Sequence, residues 1–337
     1  MKISKNIWLI LLALSCLLLI VFAISIGSTT LSPIRVFWAL VGEGSRSDSI
    51  IINQLRAPRI FLGLVAGGSL ALAGLLLQWL TRNPLSSPSA LGLVDGAALG
   101  AIGFLYLFTN ESNALTVSVL WQPLAATLGA AAMAVFLMLM LRGQSMTPIR
   151  LILLGAVMAA GLKGIINLLI IAGPVYQASN AMIWIAGSLH HARWIDVQII
   201  APALLMVVGF LYSFRLTLLQ CLLDDQTSQT TGLALERTRH LLLILAVVLI
   251  ALSVSSAGAL GFVGLIAPHI AQRIFGYRVQ LLIPGCLLIG GTITVVADIF
   301  ARVLFSPLEI PTGTVTAFIG APYFLFLLWS TKVNQHA

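Results

Sequence analysis

The chain has 337 residues, of which 59% are hydrophobic and only 8% are charged, and its formal net charge is +8. Soluble domains carry about 25% charged residues, so this composition excludes a water-soluble globular protein. The Lys and Arg residues stand singly between apolar runs and form no basic face, which also argues against nucleic acid as a partner.

Apolar runs long enough to cross about 30 Å of hydrocarbon as a helix follow one another along the chain. Nine are clear, at 7–26, 60–80, 90–108, 114–141, 151–173, 197–214, 241–257, 281–300 and 310–330. The first, after Lys2 and Lys5, could be a signal peptide, but its length favours a span that is retained. The stretch 258–276 is apolar but broken by glycines and Pro268, so it is either a short tenth span or a loop that dips into the membrane.

The distribution of positively charged residues decides between a topology of nine spans and one of ten. With ten spans, eleven Lys and Arg residues lie on the side of the termini, six lie on the opposite side, and Lys163 alone lies within a span. Cytoplasmic loops carry the excess of positive charge, so ten spans with both termini in the cytoplasm is the better fit. We therefore predict an all-α polytopic membrane protein of about ten transmembrane helices, forming one domain over residues 1–337.

Glycines spaced four residues apart predict close helix packing, because small side chains let two backbones approach each other. The interval recurs at Gly63, Gly67, Gly92, Gly96 and Gly100. We expect these contacts within one subunit rather than between subunits.

The sequence carries no motif for enzyme catalysis. It has no GxxxxGK[ST] loop, nucleophile elbow or HExxH, so ATP hydrolysis would require a separate subunit. His190, His191 and His269 have no carboxylate or cysteine partners to complete a metal site, and the three cysteines are interpreted as packing residues. We predict neither a metal nor a cofactor.

Lys163 lies near the middle of the fifth predicted span. A charged side chain costs about 3 kcal/mol there, so it should face a cavity, a carbonyl group or a partner charge. Lys163 and Asn167, one helical turn later, are candidates for a transport path, and burial of the lysine for structural reasons is an equal alternative. Further candidates are the polar loop residues Gln177, Ser179 and Asn180.

Two other polar features lie near span ends. Asp298 and Arg302 are four residues apart, where an ion pair can form on one helix face. The loop 222–240 is the longest cytoplasmic segment, with an acidic start and a basic end around Gly232, and a short helix capped near Asp224 or Thr227 is plausible there. An ordinary solvated connector is the alternative.

Five ordered blocks of sequence resemble the FecCD family, the permeases of ABC importers for iron siderophores, haem and cobalamin. They are RAPRIFLGLVAGGSLALAGLLLQ at 56–78, NPLSSPSALGLVDGAALGA at 83–101, WIAGSLHHARW at 184–194, GALGFVGLIAPHIAQRIFG at 258–276 and EIPTGTVTAFIGAPYFLFLLW at 309–329. The resemblance implies the BtuC-like permease fold of ten spans in a bacterial inner membrane. It also implies a second permease subunit in a homo- or heterodimer, two cytoplasmic ATP-binding subunits and a periplasmic substrate-binding protein.

The resemblance also implies roles for individual residues. Arg56, Arg59 and Arg302 match arginines that meet carboxylates of the binding protein, since guanidinium groups offer paired donors. The alternative is that Arg302 only pairs with Asp298 and that Arg56 and Arg59 anchor a helix at the lipid headgroups. In the segment that contacts the ATPase, the matching positions are Leu223, Asp224, Asp225, Thr231 and Gly232, where Asp224 stands for the family's usual glycine and Thr231 for its leucine.

Substrate is the last inference that the resemblance allows. The segment HARW and the segment PLEIPTGTVTAFIGAP at 307–322 look most similar to ferric-siderophore permeases, including those for ferric citrate. Haem and cobalamin remain alternatives. An ion-coupled secondary transporter is a rival class, but it requires titratable groups at the midplane, and the two candidates, Asp95 and Asp298, both lie near span ends. A membrane scaffold without transport is the third class.

Overall fold

A computed structural model describes residues 4–27, 31–110, 112, 114–142, 146–173, 175–306 and 308–333. The elements in these ranges are helices: α1 Lys5–Ser25, α2 Pro33–Val41, α3 Arg46–Ile50, α4 Ala57–Thr81, α5 Leu93–Leu107, α6 Gln122–Met140, α7 Pro148–Ala172, α8 Val175–Ala186, α9 Trp194–Ser213, α10 Arg215–Cys221, α11 Asp225–Thr230, α12 Leu235–Ala257, α13 Val263–Phe275, α14 Val279–Val303 and α15 Thr312–Val333. A π-helical turn at Ile51–Arg56 joins α3 to α4.

The ten apolar stretches of the sequence each contain one of these helices. Seven continuous helical segments of the described ranges are long and apolar enough to cross a membrane, and they include α1, α4, α6, α7, α9, α12 and α14. Two more, α5 and the described part of α15, are apolar but shorter. The interrupted stretch forms α13, whose 13 residues extend for only about 20 Å.

Helix α4 is the centre of the packing, and its side chains are buried along almost its whole length. It packs against α12, α13 and α14. A Cβ atom at Gly74 would lie 1.7 Å from the carbonyl oxygen of Gly264, and one at Gly67 would lie 2.5 Å from that of Gly290. The glycine spacing thus correctly predicted close packing within one chain.

The helices place two polar regions at opposite ends of α4. Arg59 lies in its first turn, and Arg82 follows its last residue in the left-handed conformation, with φ 47°. The N-terminal end of α1 lies on the Arg82 side, since Lys5 Nζ donates to the carbonyl of Phe275, the last residue of α13, at 2.9 Å. We call these the Arg59 end and the Arg82 end of the molecule.

Four helices, α2, α3, α8 and α10, were not predicted from the sequence, and two of them carry polar or exposed side chains of interest. α2 is a short amphipathic helix at the Arg59 end, and its apolar residues Ile34 and Phe37 are exposed. α8 lies in the region that was predicted to be a loop, and it contains Gln177, Ser179 and Asn180. Gln177 is buried and donates from Nε2 to Thr109 Oγ1 at 3.0 Å, so in this structure it is a packing residue rather than an open polar group.

Candidate docking, coupling and transport sites

An ionic cluster lies at the Arg59 end. Arg59 donates from Nε to Asp298 Oδ1 and from Nη1 to Glu309 Oε2, both at 2.8 Å. Arg302 Nε lies 3.1 Å from Asp298 Oδ2, and Thr312 Oγ1 donates to Asp298 Oδ1 at 3.2 Å. The cluster therefore joins the start of α4, the end of α14 and the start of α15. We refer to Arg59, Asp298, Arg302 and Glu309 as the arginine cluster.

The other predicted docking residue, Arg56, lies beside this cluster. Its Nη1 donates to the carbonyl of Ile24 at 2.7 Å, and Arg302 donates to the carbonyls of Ile26 and Ala23. The predicted ion pair of Arg302 with Asp298 is confirmed, but Arg302 also holds the end of α1. Arg56, Arg59 and Arg302 are each only 6% exposed, so Arg56 and Arg59 do not reach out towards lipid headgroups.

Glu309 is the most accessible acidic member of the arginine cluster, and His190 Nδ1 lies 2.7 Å from its Oε2. Burial alone would raise the pKa of Glu309, but the hydrogen bond and charge of Arg59, helped by His190, hold that pKa below its usual value. The ionised contacts of Glu309 therefore contribute fully above its unfolded pKa of about 4.3, and they are lost as the pH falls through the lower, folded value.

The predicted coupling segment forms a capped helix at the Arg82 end. Asp224 is the N-cap of α11, and its Oδ2 accepts from the backbone N–H of Thr227 at 3.0 Å. Of the two capping residues considered in the sequence, Asp224 and Thr227, the cap is therefore Asp224. The hydrogen bonds of Thr227 lower the pKa of Asp224. Leu223, Thr231 and Gly232 are exposed beside it, and Gly232 has φ 82°, a conformation that favours glycine.

Asp225 connects this segment to two long helices. Its carboxylate lies 2.7 Å from Arg82 Nη2, at the end of α4, and accepts from Arg239 Nη2, in α12, at 2.8 Å. Arg82 also donates to the carbonyl of Leu223. The sequence motif indicated Asp225 but not its partners, because 143 and 14 positions separate Asp225 from Arg82 and Arg239.

The candidate path residues lie on an exposed face of α7. Lys163 and Asn167 are exposed, and a Cβ atom at Gly161 or Gly164 would have no neighbour within 4 Å among the described residues. An exposed lysine midway along an apolar helix is costly against hydrocarbon. This face therefore requires cover by protein or water rather than by lipid.

Asp95 in α5 lies within electrostatic range of Lys163. Its Oδ2 is buried and has no hydrogen-bond partner within the described ranges. Asp95 is deep in the structure, because the neighbouring Gly96 approaches Gly129 in the middle of α6. No salt bridge joins the two side chains within the described ranges, so they are neighbouring opposite charges rather than a formed pair.

The FecCD transport family matches residues 14–330, almost the whole chain and all of the sites described above. The chain belongs to the FecCD family. The Bacillus subtilis protein YfhA, named a probable siderophore transport system permease protein, is 38% identical over 334 residues, which cover 98% of this chain and 96% of YfhA. The Fe(3+)-citrate import system permease YfmE of B. subtilis is also 38% identical, covering 95% and 94% of the two chains.

A solved structure supports the FecCD fold. An inward-facing protein assigned to the metal-chelate type of ABC transporter superposes with a TM-score of 0.84 and 27% identity, over 96% of this chain and 99% of that chain. The fold predicted from the FecCD motifs is thus confirmed, and the chain is a transport component of the ABC-importer permease type rather than an enzyme. No group of three metal-ligating side chains occurs within the described ranges.

Proposed function

We propose that this chain is the multi-pass permease subunit of an ATP-driven importer that carries a ferric siderophore, with ferric citrate among the candidates, from the periplasm to the cytoplasm. The observation that carries the proposal is the full-length similarity to siderophore and ferric citrate permeases. In this arrangement the Arg82 end faces the cytoplasm of a bacterial inner membrane and the Arg59 end faces the periplasm. Haem and cobalamin are the alternative cargoes.

Uptake measurements test this function. Cells with and without the chain receive radioactive iron as several ferric siderophores and as ferric citrate, and labelled haem and cobalamin in parallel. Loss of one iron chelate alone would support the proposal. Loss of haem or cobalamin uptake instead would replace the cargo, and uptake by vesicles on an ion gradient without ATP would contradict the ABC mechanism.

A second permease subunit, identical or different, covers the exposed face of α7 in this proposal. The exposed apolar residues Val157, Leu168 and Ile171 lie on the same stripe of α7 as Gly161 and Gly164, and Lys163 lies to one side of this stripe. The small residues Gly161 and Gly164 leave room between two such faces. The path then runs between the subunits, and two ATP-binding subunits bind the coupling segments.

Lys163 is the charged residue of this path. We expect Lys163→Glu to lower the initial rate of chelate uptake by about tenfold or more, because a carboxylate beside Asp95 places two like charges within the bilayer. Lys163→Arg keeps the charge and should retain most of the uptake. Equal uptake by both variants, at equal amounts of assembled complex, would remove Lys163 from the path.

The substrate-binding protein docks at the Arg59 end in this proposal. Arg59 is buried, and its outward contact is Glu309, whose side chain is 33% exposed. A carboxylate of the binding protein would therefore replace Glu309 on the Arg59 guanidinium. Arg56 and Arg302 add positive charge behind it.

This exchange predicts opposite effects of two substitutions. Glu309→Gln weakens the contact of residue 309 with Arg59, which competes with the binding protein, so it should lower the Kd for the binding protein. Arg59→Gln removes the guanidinium itself and should raise that Kd. Surface-plasmon measurements at low and high salt check both, since charge pairing weakens with ionic strength. If both variants weaken docking equally, Glu309 is itself a contact and the exchange is wrong.

A further inference from the structure

An apolar cleft opens on the side of the bundle formed by α6, α9 and α12. Its volume is about 630 Å³. Its floor is made by buried residues such as Ile200, Val247 and Ala251, and its rims carry exposed residues such as Leu124 and Ile199. No residue of α7 lines it, so the cleft is separate from the proposed transport path.

The cleft has the depth of one membrane leaflet. Along α12 its lining runs from Ser256 to Val247, which is about 14 Å of helix and close to half of the roughly 30 Å hydrocarbon thickness. At about 30 Å³ for each water-sized group, its volume holds about twenty such groups, enough for one acyl chain. A hydrocarbon chain lying along the bilayer normal fits these dimensions.

The mouth of the cleft has the chemistry of the headgroup region. Trp121 lines it at the start of α6, and Trp194 lies beside it at the start of α9, where it donates from Nε1 to the carbonyl of Asn53 at the Arg59 end. Tryptophan is enriched at membrane–water interfaces. The open end of the cleft therefore lies at the level of the phosphates on that side of the membrane.

Arg193 supplies a group for an anion at this mouth. Its Nε and Nη2 donate to Asp196 at 3.1 and 2.9 Å, which fixes the guanidinium plane. Nη1 donates no hydrogen bond within the described ranges, and the side chain is 43% exposed. A fixed guanidinium with an open donor is suited to a phosphate oxygen.

We propose that the cleft binds one phospholipid of the leaflet on the Arg59 side, with its phosphate on Arg193 and one acyl chain between α6 and α9 on the floor formed by α12. The lipid fills a gap between α6 and α9, which both pack against α12. It is a structural ligand of the permease and not its cargo.

Native mass spectrometry of the full chain, purified in mild detergent with added phospholipid, tests the site. Wild-type chain should retain one phospholipid more than Ala251→Phe or Thr127→Phe, whose rings occupy the cleft from two different helices. Leu205→Phe places the same ring on an exposed position of α9 outside the cleft and should retain the wild-type number.

A substitution of Arg193 tests the proposed contact with the lipid phosphate. Arg193→Gln should weaken retention by about tenfold, because it removes a charge-assisted hydrogen bond. Arg215→Gln, at an exposed position at the start of α10, just past the other end of α9, should not. Inorganic phosphate should not displace the lipid, since the acyl chain contributes most of the buried apolar area. Equal retention by wild type, Ala251→Phe and Thr127→Phe would overturn the proposal. It would also be overturned if Arg193→Gln left lipid retention unchanged, or if detergent alone displaced the bound phospholipid.

Discussion

Replacing Asp298 with asparagine should destabilise the chain by about 3–5 kcal/mol, the usual effect of removing one partner from a buried ion pair. The Asp298 side chain is only 2% exposed and lies between the guanidinium groups of Arg59 and Arg302. The neutral amide would leave two buried positive charges without their shared counterion. Glu309 would stay on Arg59 and limit the loss. The apparent Tm of the purified chain measures the effect.

The pair of Arg35 and Asp48 at the same end is the control. Asp48 is buried as well, but its partner Arg35 is 56% exposed and remains solvated without it. Asp48→Asn should therefore cost only about 1 kcal/mol or less. Equal shifts of Tm in the two variants would show that the arginine cluster is no more important to stability than a surface pair.

The long apolar helices could be predicted from the sequence because hydrocarbon requires about 20 apolar residues in each span. The charge distribution then selected ten stretches, and all ten contain helices. α8 could not be predicted in this way. It has only 12 residues and carries polar side chains at Gln177 and Asn180, so its sequence lacks the long apolar run that identifies a span. Its packing against α5 and α7 depends on the tertiary structure and leaves no such signal in the sequence.

The ionic partners were harder to predict than the arginines themselves. The family motifs include Arg59 and the local spacing includes Asp298 with Arg302, but the contact of Arg59 with Glu309 spans 250 positions. Likewise, Asp225 was expected to contact an ATPase and not to hold Arg82 and Arg239. Such contacts depend on which helix ends meet, and a single sequence does not specify that.

Helix α4 connects the two proposed docking regions directly. Arg59 in its first turn belongs to the arginine cluster, and Arg82 after its last residue pairs with Asp225 of the coupling segment. Between them, Gly67 and Gly74 lie in backbone contact with α14 and α13. If the ATP-binding subunit displaces Asp225, as proposed, the displacement would act on a closely packed helix whose opposite end lies where the binding protein is proposed to dock.

Gly232→Pro should separate ATP hydrolysis from uptake. Gly232 has φ 82°, whereas proline fixes φ near −65°, and the Gly232 N–H that donates to the carbonyl of Gln229 at 3.0 Å would be lost. The turn that connects α11 to α12 must then change shape, and Asp225 loses its alignment with Arg82 and Arg239. In vesicles containing the whole complex, we expect hydrolysis to continue while uptake falls by at least about tenfold.

Gly42 provides a matched control for this substitution. Gly42 also has a positive φ, 90°, and its N–H also donates to a backbone carbonyl, that of Trp38. Among the described residues, no atom beyond the adjacent residues lies within 4 Å of a Cβ built on either glycine. Gly42 lies at the Arg59 end, so Gly42→Pro imposes the same backbone conflict far from the coupling segment. It should leave the ratio of uptake to hydrolysis unchanged. If Gly42→Pro lowers that ratio as much as Gly232→Pro does, the loss reflects general distortion, and the coupling role of the segment around α11 is wrong.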